Sequence, residues 1–321
     1  TLAEVVSCGY SYWLYRLEVG RKRSRPRRIP GLFRKICSIC IPVTASSCLR
    51  SGLSMVENML IPAGLKRNGE TYESSLQGYG MLTGMVMPVI TFPSAFLSSF
   101  SMLLIPELSE ANAKHHKQNI RHITTRVFQL TLHFAIPITG IFFFFANDFS
   151  LLIYGDATSG KYIALMSLVI PLMYLDHVAD GMLKGLNEQL SYLSYNMVDS
   201  CIRVVLIIFL LPVCGLWGLI IVIFVSEILN STLSIARLVK VAKLTFLAGK
   251  WILKPILCIL LPCLLLRILE IQKIFCFPNL FLQVVAEAGG ALFLYLILLR
   301  ITCCVEREDL SWLRSIFAKH R

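Results

Sequence analysis

Ile138-Thr139-Gly140-Ile141-Phe142-Phe143-Phe144-Phe145 lies inside a window, 127–146, that contains no Lys, Arg, Asp or Glu. A bilayer core of about 30 Å is crossed by about 20 such residues in a helix. The run shows none of the two-residue alternation of a transmembrane barrel strand, and lipid cannot satisfy an open sheet edge. It therefore predicts a membrane-spanning helix. Working outward, seven further windows fit: 36–62, 79–105, 162–183, 193–213, 214–236, 252–269 and 280–299. Residues 1–20 read as the end of another spanning helix. The chain starts at Thr1, and its first basic run follows the apolar Leu2 to Leu17 segment, the reverse of a signal peptide. The expectation is the C-terminal part of a longer protein. The fold class predicted is all-α, a polytopic transmembrane helix bundle of about nine spans.

Composition agrees. Of 321 residues, 56% are hydrophobic and 16% charged, with a mean hydropathy of +0.68; soluble domains carry roughly 25% charge. A soluble fold would lack the polar surface to cover this interior. The eleven cysteines lie mostly in apolar runs, as do Cys48, Cys201 and Cys258, and read as small buried hydrophobes. Cys37 and Cys40 have CxxC spacing with no second pair, so neither a metal site nor a cofactor is predicted.

Lys and Arg segregate by loop. One side collects the basic residues of 21–35, then Lys114, Lys117, Arg121, Arg126, Lys184, the cluster from Arg237 to Lys254, and those from Arg300 to Arg321. The other side holds Lys66, Arg67, Lys161, Arg267 and Lys273, while Arg16, Arg50 and Arg203 fall in spans or at their edges. The positive-inside rule places the first side, and the C-terminus, in the cytoplasm of a multi-pass cell-membrane protein. The net charge of +12 is spread over loops on one face, which suits anionic lipid heads and forms no nucleic-acid groove. The expected organisation is 1–20, the end of a preceding helix; 21–35, a basic cytoplasmic linker; 36–240, six helices; 241–302, two more; and 303–321, a cytoplasmic tail.

The motif Gly78-Tyr79-Gly80-Met81-Leu82-Thr83-Gly84-Met85, with Pro88, Phe92-Pro93-Ser94 and Leu104-Ile105-Pro106-Glu107-Leu108-Ser109-Glu110-Ala111, resembles the pattern of stage V sporulation protein B-like transporters of the multidrug/oligosaccharidyl-lipid/polysaccharide exporter superfamily. Leu152-Ile153-Tyr154-Gly155, Leu183-Lys184-Gly185-Leu186-Asn187-Glu188-Gln189 and the Pro212 to Gly218 turn add to the resemblance, which runs from about 30 to 255. It implies a fourteen-helix exporter of two six-helix lobes plus two helices, with 36–240 as the C-terminal lobe and the N-terminal lobe missing. Gly80 and Gly84 have the GxxxG spacing that permits close helix contact. Pro88, Pro93 and Pro106 remove backbone donors and permit bends.

Ionisable side chains at membrane depth cost about 2.5–3.5 kcal/mol on insertion scales, so they face a cavity or a partner. The candidates for a substrate or ion cavity are Arg50, Glu57, Asp176, Asp180, Asp199, Arg203 and Glu227, with His177 and Asn230 alongside. Asp176 and Asp180 share a helix face, as do Asp199 and Arg203, which can neutralise one another. Arg50 and Arg203 suit a phosphate or diphosphate, which guanidinium binds in bidentate fashion; the acids suit a coupling cation. The competing reading is structural pairing, with Asp180 and Asp199 merely interfacial. Arg50 is expected to point into the bundle, on the face that meets the missing lobe, too far from Glu57, about 10 Å along the helix, for an easy pair. His133 and Glu287 read as packing or interface residues.

No GxSxG, HExxH, Walker A or dinucleotide turn occurs, so an enzyme is not predicted. The resemblance implies a flippase or exporter of a lipid-linked oligosaccharide or cell-wall precursor. Alternatives are a cation-coupled multidrug exporter and a membrane enzyme such as a lipid-linked glycosyltransferase. The partners expected are the lipid bilayer, a lipid-linked saccharide and the missing N-terminal lobe, with no nucleic acid.

Overall fold

The computed structural model describes residues 2–21, 31–67, 71–243, 249–272 and 279–302. Most of the basic linker and the tail at 303–321 lie outside the described residues. The helices are α1 (Leu2–Arg21), α2 (Leu32–Arg67), α3 (Tyr72–Met81), α4 (Met87–Thr91), α5 (Ser94–Ala113), α6 (Lys117–Phe144), α7 (Ala146–Tyr154), α8 (Gly160–Ser167), α9 (Ile170–Gly185), α10 (Gln189–Ala242), α11 (Lys254–Ile271) and α12 (Leu280–Ile301), with no strand among the described residues. The chain divides into two compact units, Thr1–Thr44 and Ala45–Arg321. The smaller contains α1 and the start of α2. The larger contains everything else, α11 and α12 included, and no division falls at residue 240.

Among the described residues, five helices are long and apolar enough to cross a membrane, or seven if each of two bent pairs is one span. α1 is not among them. α10 is counted once in these totals, yet 54 residues would run roughly 80 Å if straight, far beyond one bilayer core of about 30 Å. It folds back instead. Gly215 adopts φ 56°, ψ −135°, a backbone region open essentially only to glycine. On either side of it, Asp199 and Arg203 hydrogen bond to Ser226, a contact that a continuous helix forbids. The windows 193–213 and 214–236 are the two limbs of this hairpin.

The span from Leu76 to Ala113 bends by 56° between Thr91 and Ser94. Pro93 stands at the break. Pro88, which cannot donate to the preceding turn, follows a π-helical stretch, Leu82–Val86, where the Met87 amide reaches back to Leu82. Such wide turns relieve a strained ladder. Tyrosine hydroxyls serve nearby carbonyls: Tyr154 donates to Met85 O at 2.8 Å and the fully buried Tyr174 to Ile90 O at 2.8 Å. Gly160–Ser167 and Ile170–Gly185 form a second bent pair, at 55°, with Pro171 in the first turn after the bend. Pro106 lies inside α5.

The glycines that bring helices together are not those of the 80–84 motif. A Cβ added at Gly80 or Gly84 would meet nothing within 4 Å. One close approach is between α9 and α5: a Cβ at Gly181 would run into Ser101 Oγ, and one at Gly185 would lie 3.1 Å from Ile105 O. These two also have GxxxG spacing, and Ser109 Oγ seals the seam by donating to Gly185 O at 3.0 Å. Gly181→Val is expected to destabilise the chain by about 1–3 kcal/mol through overpacking. Gly80→Ala is expected to be neutral or to gain about 0.5–1 kcal/mol of helix propensity. Thermal unfolding of the purified chain in detergent compares them, and a larger loss at Gly80 would refute the assignment of the seam.

The surface fits a lipid solvent. Leu257, Leu261, Phe293 and Leu296 of α11 and α12 are exposed, as they would be against acyl chains. Cys48 and Cys201 are likewise exposed and free, not buried as expected; a lipid-facing position is as apolar as a core one and takes small hydrophobes equally well. On α6, a Cβ at Gly140 would come within 2.6 Å of Ile259 on α11, so the last two helices pack directly on the rest of the larger unit.

Candidate functional site

All seven ionisable residues singled out from the sequence line one cavity of about 340 Å³. α2 contributes Arg50, Ser54 and Glu57; α9 contributes Asp176, His177 and Asp180. The first limb of α10 contributes Tyr192, Asn196, Asp199, Ser200 and Arg203, and its second limb Glu227 and Asn230. The Gly215 hairpin is what sets the two limbs side by side around it. Met173 and Thr91, the latter at the break of the bent span, complete the wall.

Arg203 is held from three directions. Its Nη2 donates to Asp199 Oδ2 at 2.8 Å and to Ser226 Oγ at 2.7 Å, and Nε reaches the same hydroxyl at 3.1 Å. Ser226 in turn donates to Asp199 Oδ1 at 2.7 Å, and Glu57 lies 3.8 Å from Nη1. Asp199, Glu57 and Ser226 are all buried. Asp199 is thus the buried anchor of a network, and its guanidinium partner is already committed. Arg50 differs: it is exposed, at the mouth of the cavity, where its charge acts on Glu57, Asp176 and Asp180. It lines the cavity from a face of α2 that, with Ser51, Met55, Asn58 and Met59, is uncovered.

Deeper in, Asn230 Nδ2 donates to Asp176 Oδ2 at 2.8 Å. Asp176 stands beside the Ser234 hydroxyl and Asp180 beside that of Tyr192, while the buried Asn230 Oδ1 has no hydrogen-bond partner among the described residues. Buried polar atoms are nearly always satisfied, so an acceptor at a cavity suits a bound cation or donor. With five carboxylates against two guanidiniums around one space, full ionisation leaves a negative surplus that a low-dielectric site must neutralise. No cluster of His, Cys, Asp or Glu suited to hold a metal ion occurs among the described residues.

A second cavity, about 580 Å³, is apolar and lies between α5, α6 and α12, with Phe96, Phe100, Phe134 and Leu292 in its wall. Pro93 borders it while Thr91, two residues earlier, borders the polar cavity. The break in the span therefore stands between a polar and an apolar space.

A further ionic network lies away from both. Arg267 of α11 donates to Asp148 of α7 at 3.1 Å and to Glu270, and Gln283 links Glu270 to the fully buried Glu287 of α12 at 3.2 and 3.1 Å. Sequence reasoning assigned Arg267 to a loop and Glu287 to packing; their partnership depends on how α7, α11 and α12 dock. Tyr192, Asn196 and Ser200 were also missed, although with Arg203 they repeat at helical spacing and mark one polar stripe on an apolar helix.

A multi-pass helical membrane protein with a broken span, a helical hairpin and an ionisable cavity is the class these features define. The MatE family profile matches residues 42–209, and the chain belongs to that family. It is 24% identical over 211 residues to Stage V sporulation protein B of Bacillus subtilis (strain 168), covering 65% of this chain and 41% of that protein. It is 24% identical over 134 residues to Sporulation protein YkvU of the same organism, covering 41% of this chain and 30% of that protein. Among solved structures it is similar in fold to the lipid II flippase MurJ in its inward closed conformation, with a TM-score of 0.55 and 14% identity, over 87% of this chain and 57% of that one. The chain thus spans less than two thirds of each relative's length.

Proposed function

We propose that this chain is the C-terminal lobe, with two additional helices, of a flippase that moves a lipid-linked saccharide or cell-wall precursor across the cell membrane. In this reading 36–240 is the lobe, 241–302 the added pair, and the basic loops and the C-terminus are cytoplasmic. The N-terminal lobe is the missing partner, and transport comes from rocking the two lobes about a central cavity. The observation that carries the reading is the polar cavity with the exposed Arg50 at its mouth, where it reaches the Tyr192 hydroxyl, beside an apolar space that fits a lipid chain. Guanidinium at that position suits a diphosphate. The structural neighbour, a lipid II flippase, points the same way.

The surplus of carboxylates supports coupling to a cation and keeps the multidrug exporter as the second reading. Against it, Tyr192 and the His177 imidazole are the only rings in the wall among the described residues, where a drug site would be expected to carry aromatic faces. The test is reconstitution of the whole protein, upstream sequence included, in liposomes. A fluorescent polyprenyl-diphosphate saccharide should become accessible in the opposite leaflet, and residues 1–321 alone should not move it. Gradient-driven efflux of a cationic dye without lipid transfer would establish the drug exporter instead. Chemical turnover of the saccharide lipid would establish an enzyme.

A further inference from the structure

A third cavity, of about 340 Å³, lies where four segments of the larger unit converge: the end of α5, the start of α6, the α9–α10 turn and the end of α10. Lys117, Arg121 and Lys243 line it, together with the amides of Asn112 and Gln118, and no carboxylate does. Of the acids on the adjoining segments, Glu188 is engaged with Arg237 at 2.8 Å and Glu110 pairs with Lys114. Lys117 and Lys243 form no ion pair among the described residues. The first turn of α6 also faces this end, and His116 provides no side-chain cap for its amides. Helix N-termini favour anions. The floor is apolar, formed by the buried Ile120 and Leu186. Asn112 fixes the α9–α10 turn beneath it by donating to Leu186 O at 3.1 Å.

We propose that this pocket binds the phosphate of an anionic phospholipid from the surrounding leaflet. Lys117 and Lys243 above an apolar floor, at the ends of membrane helices, match a headgroup phosphate with the first carbons of its acyl chains below it; basic pockets between helix ends take such headgroups. A free phosphate ion shares the charge chemistry but has no use for the floor. Occupancy would tie the start of α6 to the end of α10, so this inference stands apart from the transport reading.

The test uses the purified chain in detergent, with bound phosphatidylglycerol measured by native mass spectrometry against phosphatidylcholine of the same chain length. Phosphatidylglycerol should bind at least tenfold more tightly. Lys117→Gln with Lys243→Gln should weaken it about thirtyfold, taking roughly 1 kcal/mol per basic residue. Lys66→Gln with Arg67→Gln, the same loss of charge at the end of α2, should leave it unchanged. Should the double variant fail to fold, each single substitution, at an exposed side chain, should weaken binding about fivefold. Equal loss in the α2 control, or no preference for the anionic lipid, would overturn the proposal. So would inorganic phosphate at millimolar concentration displacing the lipid and raising the thermal midpoint alone, since the site would then serve a soluble anion.

Discussion

Arg203→Met is expected to lower the stability of the chain by about 3 kcal/mol, the lower end of the 3–5 kcal/mol seen when one partner of a buried pair is removed, because 35% of the Arg203 side chain is exposed. The substitution leaves Asp199 and Glu57 facing each other with no cation between them, and takes two donors from Ser226. Lipid supplies no replacement donor. Asp199→Asn combined with Arg203→Met should recover much of the loss, since the stranded charge leaves with its partner. Thermal or denaturant unfolding in detergent reads both. An unchanged midpoint for the single variant would mean that the network contributes nothing to folding.

Arg50→Ala should have the opposite profile. Its side chain is exposed at the cavity mouth, so the unfolding midpoint should stay within about 0.5 kcal/mol of the original. In the whole protein, transport should fall ten- to a hundredfold, the equivalent of one hydrogen-bonded charge pair of about 1.5–3 kcal/mol. Arg50→Lys should keep part of the activity, because it retains the charge and loses the planar fork. Full activity in Arg50→Ala would remove this residue from the site. Loss of folding in both variants would make its role structural.

Much of the helical architecture was legible because lipid imposes a strict rule of length and polarity. The 127–146 window and the paired windows around Gly215 follow from it directly. The seam between helices was not: Gly80-Leu82-Gly84 and Gly181-Leu183-Gly185 carry the same spacing, and only the docking of α5 against α9 selects the second. The site shows the same division. Membrane depth alone marks Glu57, Asp176 and Glu227, since each has to face something other than lipid. What each of them faces is a tertiary fact. Asp199 and Arg203 are visible as an i,i+4 pair, yet Ser226 enters only through the hairpin. Arg267 and Glu287 counted as loop and packing residues because the bridge between them passes through Glu270 and Gln283 on two different helices.

The hairpin at Gly215 also sets an order of events during synthesis. Ser226 lies 23 residues after Arg203, a delay of about 1–5 s at 5–20 residues per second. For that interval the first limb has to enter the bilayer with an arginine whose hydroxyl partner does not yet exist. Asp199, one turn earlier on the same limb, is already present and lies within 2.8 Å of the guanidinium. The pair can therefore travel into lipid as a neutral unit, and the second limb closes the network when it arrives.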